Sequence, residues 1–382
     1  MAAHRKRQLP EDTAQICQAA FGYRPRAEQI QVVEMLGRMK DCILIAGTGW
    51  GKTLVYFLPL LIWPNDIILI VSPLKVLSDE QHSKLVALGI PSINIKQETR
   101  TNIADLASGK YRAVFTSPEI IFKSSRLSAL WQDKGWRSRL RNIVVDEAHC
   151  VGTWGMDFRQ AYSQLGRLRA MAHPDVSFLA VSATLPPALL TTLTSSMLFK
   201  NATVVNVGND RINIKYTVSI MKHGRSTFHD LFFLKDKVKT IVYFQTLMEV
   251  ESAAVYVKAL VGVNSVAIFH AAKSELYKRN KMEDFKQNRV CILLSTEAAG
   301  MGCDISDVIR VVQYGYPGSI SVLFQRLGRA GRNPALQGIS IFLVPSQAPS
   351  LVDPFLRDYV TISSCRRRYV NECLPLACHL PR

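Results

Sequence analysis

The 382-residue chain has no long apolar run. Its most apolar stretch, Leu54 to Trp63, is interrupted by Pro59 and falls well short of the ~20 residues that span a bilayer. It reads as a helix packed in a core, and no membrane partner is expected. The N-terminus, MAAHRKRQLPEDT, has basic residues with no apolar segment behind them, so it lacks the pattern of a secretory signal. Short-period repeats and low-complexity segments are absent as well. With 21 Gly, 17 Pro, 48% hydrophobic and 20% charged residues, the composition excludes a collagen, a coiled coil and a disordered tail. Cysteine is thinly spread, at 17, 42, 150, 291, 303, 365, 373 and 378. The scatter of the first five predicts reduced thiols in an intracellular protein rather than a disulfide framework. Acidic side chains are the last shortage: 30 Asp and Glu face 47 Lys and Arg, for a net charge of +17. Such an excess favours a polyanionic partner such as nucleic acid, with a generally solvated basic exterior as the plainer alternative. Residues 1–210 carry 24 basic against 17 acidic side chains and residues 211–382 carry 23 against 13. A basic surface drawn from both halves therefore fits better than a detachable basic tail.

What is present is a repeating alternation. Short β-branched apolar runs occur at 42–46 (CILIA), 67–71 (IILIV), 113–116 (AVFT), 142–146 (NIVVD) and 178–182 (FLAVS), with helix-length segments between them. That alternation predicts a parallel sheet covered by helices on both faces. The pattern begins again at 240–244 (TIVYF), 265–269 (SVAIF), 290–295 (VCILLS), 308–312 (VIRVV) and 339–344 (ISIFLV). At about 150 residues per domain, the length also suggests two bodies. The expectation is an α/β protein of two tandem lobes, residues 1–207 and 208–344, joined by a linker around Gly208 to Asn213. A short C-terminal tail, 345–382, would follow.

The strongest local signal follows the first run: Ala46-Gly47-Thr48-Gly49-Trp50-Gly51-Lys52-Thr53. Glycines here let backbone N–H groups point into a concavity around phosphates, Lys52 neutralises the β and γ charge, and the Thr53 hydroxyl can bind Mg²⁺. Ala46 stands where the strict pattern has Gly. Another run closes on Asp146, followed by Glu147-Ala148-His149. An acidic residue at the carboxyl end of a parallel strand can hold Mg²⁺ opposite the phosphate loop, and the next carboxylate can orient or deprotonate an attacking water. In the second half, Gln325-Arg326-Leu327-Gly328-Arg329-Ala330-Gly331-Arg332 places Arg329 and Arg332 three apart. On a helix or helical turn they project to one side, where guanidinium groups can stabilise a transferring phosphoryl, bind nucleic-acid phosphates or simply be solvated.

These elements, with Ser182-Ala183-Thr184, resemble superfamily-two helicases in order and spacing. Finer features resemble the RecQ family: Phe21-Gly22-Tyr23 with Arg26 and Gln29, VSPLKVLSDEQ (71–81), AHCVGTWGMDFRQAY (148–162), Asp210-Arg211-Ile212-Asn213-Ile214, and Thr296 to Gly302. The match runs from about Phe21 to Val344. It implies two RecA-like lobes with ATP bound between them and an ATP-dependent DNA helicase or translocase moving 3′ to 5′ on single-stranded or forked DNA. Gln29 would read the adenine edge with support from Arg26. Residues Gly47, Thr48, Gly49, Trp50, Gly51, Lys52 and Thr53 would cradle phosphate and, with Asp146, hold Mg²⁺. Glu147 would activate water, and Arg329 and Arg332 would be arginine fingers. His149, Gln325, Ser182 and Thr184 would couple nucleotide state to DNA. Trp154 and Phe158 would stack on bases while Arg159 meets phosphate, ordinary core packing being the alternative for the two aromatics.

Several positions depart from the family pattern. Met156 replaces a usual His, Ala299 a usual Phe, and Leu247 stands near a common Arg, which bears on DNA coupling and leaves the phosphate chemistry untouched. Cys365-Arg366-Arg367 resembles the start of the family's zinc module, after which a winged helix is typical, so the chain reads as stopping short of both. Cys365, Cys373, Cys378 and His379 have the wrong spacing for that module, which favours free thiols over zinc, with Arg366 to Arg368 as a phosphate-binding patch or solvated surface. The alternatives carried forward are an RNA helicase of the same superfamily and an ATPase core that cannot unwind without a partner. A nuclear location follows from the DNA substrate, the His4-Arg5-Lys6-Arg7 cluster being only a weak signal. Protein partners are left open.

Overall fold

A computed structural model describes residues 5–73, 75–96, 102–153, 161–297 and 305–373. The chain divides into two compact units, the first running to Gly208 apart from Gly47–Gly49, the second comprising Gly47–Gly49 and Asn209–Cys373.

The first unit is built on β1 (Cys42–Ala46), β2 (Ile67–Val71), β3 (Ser92–Asn94), β4 (Ala113–Thr116), β5 (Leu140–Val145), β6 (Ser177–Ser182) and β7 (Thr203–Gly208). These pair in parallel in the order β3-β4-β2-β5-β6-β1-β7. Every residue of β1 and β2 is buried, as expected of strands covered on both faces. The two-residue side-chain period splits each strand between two apolar layers. Ile43, Ile45, Leu69, Val71, Ile143 and Val145 face a layer with Trp131 and Trp136. Cys42, Leu44, Ile68, Ile70 and Val144 face one with Tyr56, Phe57 and Leu60. Tyr56, Phe57 and Leu60 belong to the helix Leu54–Ile62, which runs through Pro59 without ending there.

The second unit repeats the plan with β8 (Ile214–Ile220), β9 (Thr240–Tyr243), β10 (Val266–Phe269), β11 (Ile292–Ser295), β12 (Arg310–Tyr314) and β13 (Gly338–Val344). Their order is β10-β11-β9-β12-β13-β8, again all parallel. The helix Leu247–Val261 opens with a capping box: the Thr246 hydroxyl accepts from the Glu249 N–H at 3.2 Å while Glu249 accepts from the Thr246 N–H at 3.2 Å. Its buried face, Val250, Ala253, Ala254 and Val257, packs on Val242, Ile268, Leu294 and Val312 of the strands.

The ten apolar runs read from the sequence all became strands. Three more strands escaped that reading, β3, β7 and β8, and all three lie at sheet edges. There one side of the ladder is open and burial is partial, so the sequence mixes Lys, Asn, Ser and Thr with the apolar residues. Between the two sheets, β7 ends at Gly208 and β8 begins at Ile214.

The expected tail is corrected as far as Cys373. Helices Pro354–Thr361 and Arg366–Cys373 are part of the second unit, burying Leu356, Tyr359 and Val370. The Tyr359 ring meets Phe324 edge-on at 5.5 Å. Arg366 and Arg367 are not a solvated patch, because their guanidinium groups are spent on carbonyls of the chain itself. No described helix is long and apolar enough to cross a membrane.

Candidate nucleotide site

The first unit gathers its predicted site residues at the carboxyl ends of β1, β5 and β6. After β1 the backbone turns through Gly49 and Gly51 at φ of 79° and 94°, a left-handed region that glycine enters without steric cost. The turn delivers the chain into the helix Leu54–Ile62, whose first N–H groups, from Leu54 to Phe57, are bonded to the carbonyls of Gly51, Lys52 and Thr53, so an anion would be met by the loop ahead of the helix. Lys52 Nζ donates to the Ala46 carbonyl at 2.8 Å. Gln29 is buried and ties its own helix start to this loop: its Oε1 accepts from the Arg26 N–H at 2.8 Å and its Nε2 donates to the Gly51 carbonyl at 3.0 Å. A Cβ on Gly51 would lie 2.9 Å from that Nε2 and would displace it, and the φ of 94° is itself one that favours glycine. Arg26 lies over the Trp50 ring at 5.9 Å.

Asp146 follows β5 and is buried. Its Oδ2 accepts from the Tyr56 hydroxyl at 3.2 Å and from Gln81 Nε2 at 3.1 Å, and its Oδ1 accepts from the Glu147 N–H at 3.0 Å. Burial first, and then the Glu147 charge, push its carboxyl up to about 6, against the opposing pull of Gln81 and Lys52. A buried carboxylate whose anion is this poorly compensated, beside a hydroxyl and a lysine, is a hard-oxygen donor set that fits a divalent cation accompanying a nucleotide phosphate. Asp146 and Thr53 would hold Mg²⁺ there.

Glu147 takes a left-handed backbone, φ 49°, at about 1–2 kcal/mol for a residue with a Cβ. Three main-chain bonds hold that turn: Glu147 N–H to Asp146 Oδ1, Cys150 N–H to the Glu147 carbonyl at 2.9 Å, and Ala148 N–H to the Val181 carbonyl at 2.9 Å. The strained turn carries the Glu147 carboxylate to His149, whose Nδ1 lies 3.3 Å from Glu147 Oε2 and 3.1 Å from Ser182 Oγ. Ser182 in turn donates to the Thr184 carbonyl at 2.9 Å. The structure thus joins Glu147, His149, Ser182 and Thr184 in one buried polar chain. Sequence reasoning did not assign Tyr56 or Gln81 a part in the site. Tyr56 was absorbed into an apolar helix, and Gln81 is brought in by the fold from 65 residues away.

In the second unit the helix Ile320–Leu327 carries Gln325 and ends at Gly328, so Arg329 and Arg332 lie on the turn beyond it. Arg329 is buried and Arg332 half-buried. Arg326, one residue on from Gln325, points inward instead. Its Nε donates to Glu297 Oε2 at 2.9 Å, another of its nitrogens closes the ion pair, and a third donates to Gln313 Oε1 at 2.8 Å. The Tyr243 ring lies 5.3 Å from its guanidinium carbon. Trp154, Phe158 and Arg159 lie outside the described residues, as do Leu74, Met156, Ala298 to Gly302, Cys378 and His379. Cys365 and Cys373 flank the eight-residue helix Arg366–Cys373, about 12 Å apart along its axis at 1.5 Å per residue. Two sulfurs so separated cannot reach one zinc ion at about 2.3 Å each.

Residues 26–192 match the family described as DEAD/DEAH box helicase, and residues 225–334 the one described as helicase conserved C-terminal domain. The chain is 31% identical over 338 residues to the ATP-dependent DNA helicase RecQ of Haemophilus influenzae, covering 87% of this chain and 53% of that protein. It is 32% identical over 322 residues to the RecQ-like DNA helicase blm-1 of Caenorhabditis elegans, covering 81% of this chain and 32% of that protein.

The chain carries a DEAD/DEAH box helicase domain and a helicase C-terminal domain and is similar to RecQ helicases over most of its length. It spans between about a third and about half the length of these curated relatives. The solved structure of the DUF1998 helicase MrfA bound to DNA aligns with a TM-score of 0.73 at 21% identity, over 96% of this chain and 54% of that one. That likeness establishes the fold: each of the two units is a RecA-like lobe. Asp146 and Glu147, at the end of β5, open the Asp-Glu-Ala-His run, which lies within the matched DEAD/DEAH box domain.

Proposed function

We propose that this chain is an ATP-dependent DNA helicase or translocase that moves 3′ to 5′ on single-stranded or forked DNA. The observation that carries the reading is the buried Asp146, held only by neutral donors, with the half-buried Glu147 next to it and the phosphate-loop Lys52 within electrostatic reach. A carboxylate kept in that state is poorly suited to holding a fold together and well suited to a cation and a polyphosphate. Lys52 gives up its bond to the Ala46 carbonyl and turns to the β- and γ-phosphates. Glu147 takes a proton from water as the water oxygen bonds to the γ-phosphorus. The bond from γ-phosphorus to its bridging oxygen breaks, leaving ADP. Mg²⁺ at Asp146 and Thr53 neutralises charge on the phosphate oxygens when bound. Arg329 and Arg332 stabilise the charge that spreads over the transferring phosphoryl. The path from Glu147 through His149 to Ser182 and Thr184 carries the nucleotide state toward DNA contacts at Trp154, Phe158 and Arg159. The RecQ resemblance supports DNA over RNA, and the polarity.

The test pairs ATPase assays with single-stranded DNA and with RNA, and a forked duplex with a 3′ tail. DNA is expected to stimulate turnover more than RNA, and Lys52→Ala to remove that stimulated turnover. Undiminished turnover in Lys52→Ala would overturn the site. Equal stimulation by RNA would overturn the DNA reading, and opening only of 5′-tailed forks the polarity.

A further inference from the structure

We propose that Arg367 is a positioning residue for the arginine turn, acting through residues 210–214. The inference rests on the reading of Arg329 and Arg332 as the groups that meet the transferring phosphoryl. Its basis lies wholly within the second unit. The Arg367 guanidinium ion-pairs with Asp210, donates to the Arg211 carbonyl at 3.0 Å and to the Ile214 carbonyl, and lies over the Tyr216 ring at 5.2 Å. One planar group thus grips both ends of the segment that leads into β8. A guanidinium can do this because its donors diverge in a fixed fork, whereas an ammonium is a single point.

The gripped segment in turn holds the arginine turn. Arg211 and Asn213 both donate to the Gly331 carbonyl, Asn213 Nδ2 at 2.7 Å, and the same Nδ2 reaches the Leu336 carbonyl at 2.8 Å. Gly331 sits between Arg329 and Arg332 and takes φ 52°. A Cβ there would lie 2.9 Å from Asn213 Nδ2, so the approach is as close as glycine permits. The C-terminal helices grip the other end of the same element as well. Asp353 Oδ2 accepts from the N–H of Ile320, the first residue of the helix that leads to Arg329, at 3.0 Å. Arg366 steadies the pair of helices by donating to the Tyr359 and Val360 carbonyls at 3.1 and 3.2 Å. Helices that the sequence assigned to a tail therefore form a strap, and Arg367 is its contact with the segment that orients Gly331.

The experiment measures DNA-stimulated ATPase of the full chain as Arg367→Ala, Arg367→Lys, Arg332→Ala and the Arg367→Ala/Arg332→Ala double variant. Both Arg367 variants are expected to lower kcat about tenfold, with the KM for ATP within about twofold of wild type, because a finger acts in the transition state and not in ground-state binding. The Lys variant keeps the charge and loses only the fork, so its loss is not one of folding. The loss caused by Arg367→Ala is expected to shrink in the Arg332→Ala background, since only Arg329 is then left to misplace. Wild-type turnover in both Arg367 variants would overturn the proposal. So would a tenfold loss that recurs in full in the Arg332→Ala background, as a general structural role would produce. Wild-type turnover in Arg332→Ala would overturn the finger assignment and this proposal with it, a pattern distinct from an impaired Arg332→Ala beside an unaffected Arg367→Ala.

Discussion

The two lobes share an all-parallel sheet and differ in how they treat buried charge. In the first, Asp146 has only neutral donors on its oxygens and a second carboxylate beside it, and its affinity for protons rises accordingly. In the second, the buried Arg326 has its carboxylate, Glu297, and a neutral acceptor, Gln313. The contrast separates a site from a scaffold. A buried charge paired with an opposite charge reinforces one arrangement of its own lobe, whereas one held only by neutral donors keeps charge to offer a ligand. The arginines expected to act on phosphate are accordingly not Arg326 but its neighbours on the turn beyond the helix.

That contrast can be broken at several points. The largest effect is expected at Glu147→Gln, which preserves shape and removes the proton acceptor: turnover should fall by about 10²–10⁴-fold. Nucleotide binding, measured by calorimetry, should persist. A variant that still turns over would move the general base elsewhere. On the scaffold side, Arg326→Ala should destabilise the second lobe by about 3 kcal/mol, read by denaturant unfolding, because it orphans Gln313 and strips Glu297 of its partner. Unchanged unfolding would mean that the pair is not structural.

Gly331→Ala is expected to be milder, about 2 kcal/mol, from the left-handed backbone and the close Asn213 amide. The smallest effect concerns pH. The Asp146 carboxyl sits at about 6, above its ordinary value, so the proton is favoured below that pH and the anion above it. The same sign makes its protonation favour the folded, ligand-free state at low pH, a contribution lost as pH rises through about 6. The strengthening of nucleotide binding by Mg²⁺ should therefore drop about tenfold between pH 7.5 and pH 5, since one unit below the pKa leaves roughly a tenth of the group ionised. Calorimetric titration with and without Mg²⁺ at the two values checks it, and a flat profile would remove Asp146 from the metal site.

In each lobe the residues read as functional are legible in the chain because they lie in short contiguous runs. The loop from Ala46 to Thr53, the Asp146–His149 run and the turn from Gly328 to Arg332 are each contiguous, and each follows an apolar run or helix whose end sets its position. Central strands are legible for the same reason: burial on both faces demands uninterrupted apolar residues, as in CILIA and IILIV. Edge strands β3, β7 and β8 were not, because an open edge relaxes that demand.

The sequence by itself thus determined the class of fold, the two-lobe plan and which residue types are suited to phosphate. These follow from side-chain periodicity and from backbone freedom at glycine, both properties of a few neighbouring residues. Only the tertiary structure decided what surrounds those residues. Gln81 and Tyr56 reach Asp146 from 65 and 90 positions away, and Arg367 reaches Asp210 across 157. The proton affinity of Asp146 and the hold on Gly331 depend on groups that only folding brings together. Desolvation and directional hydrogen bonds act over a few ångströms of space, however far apart in the chain their partners lie.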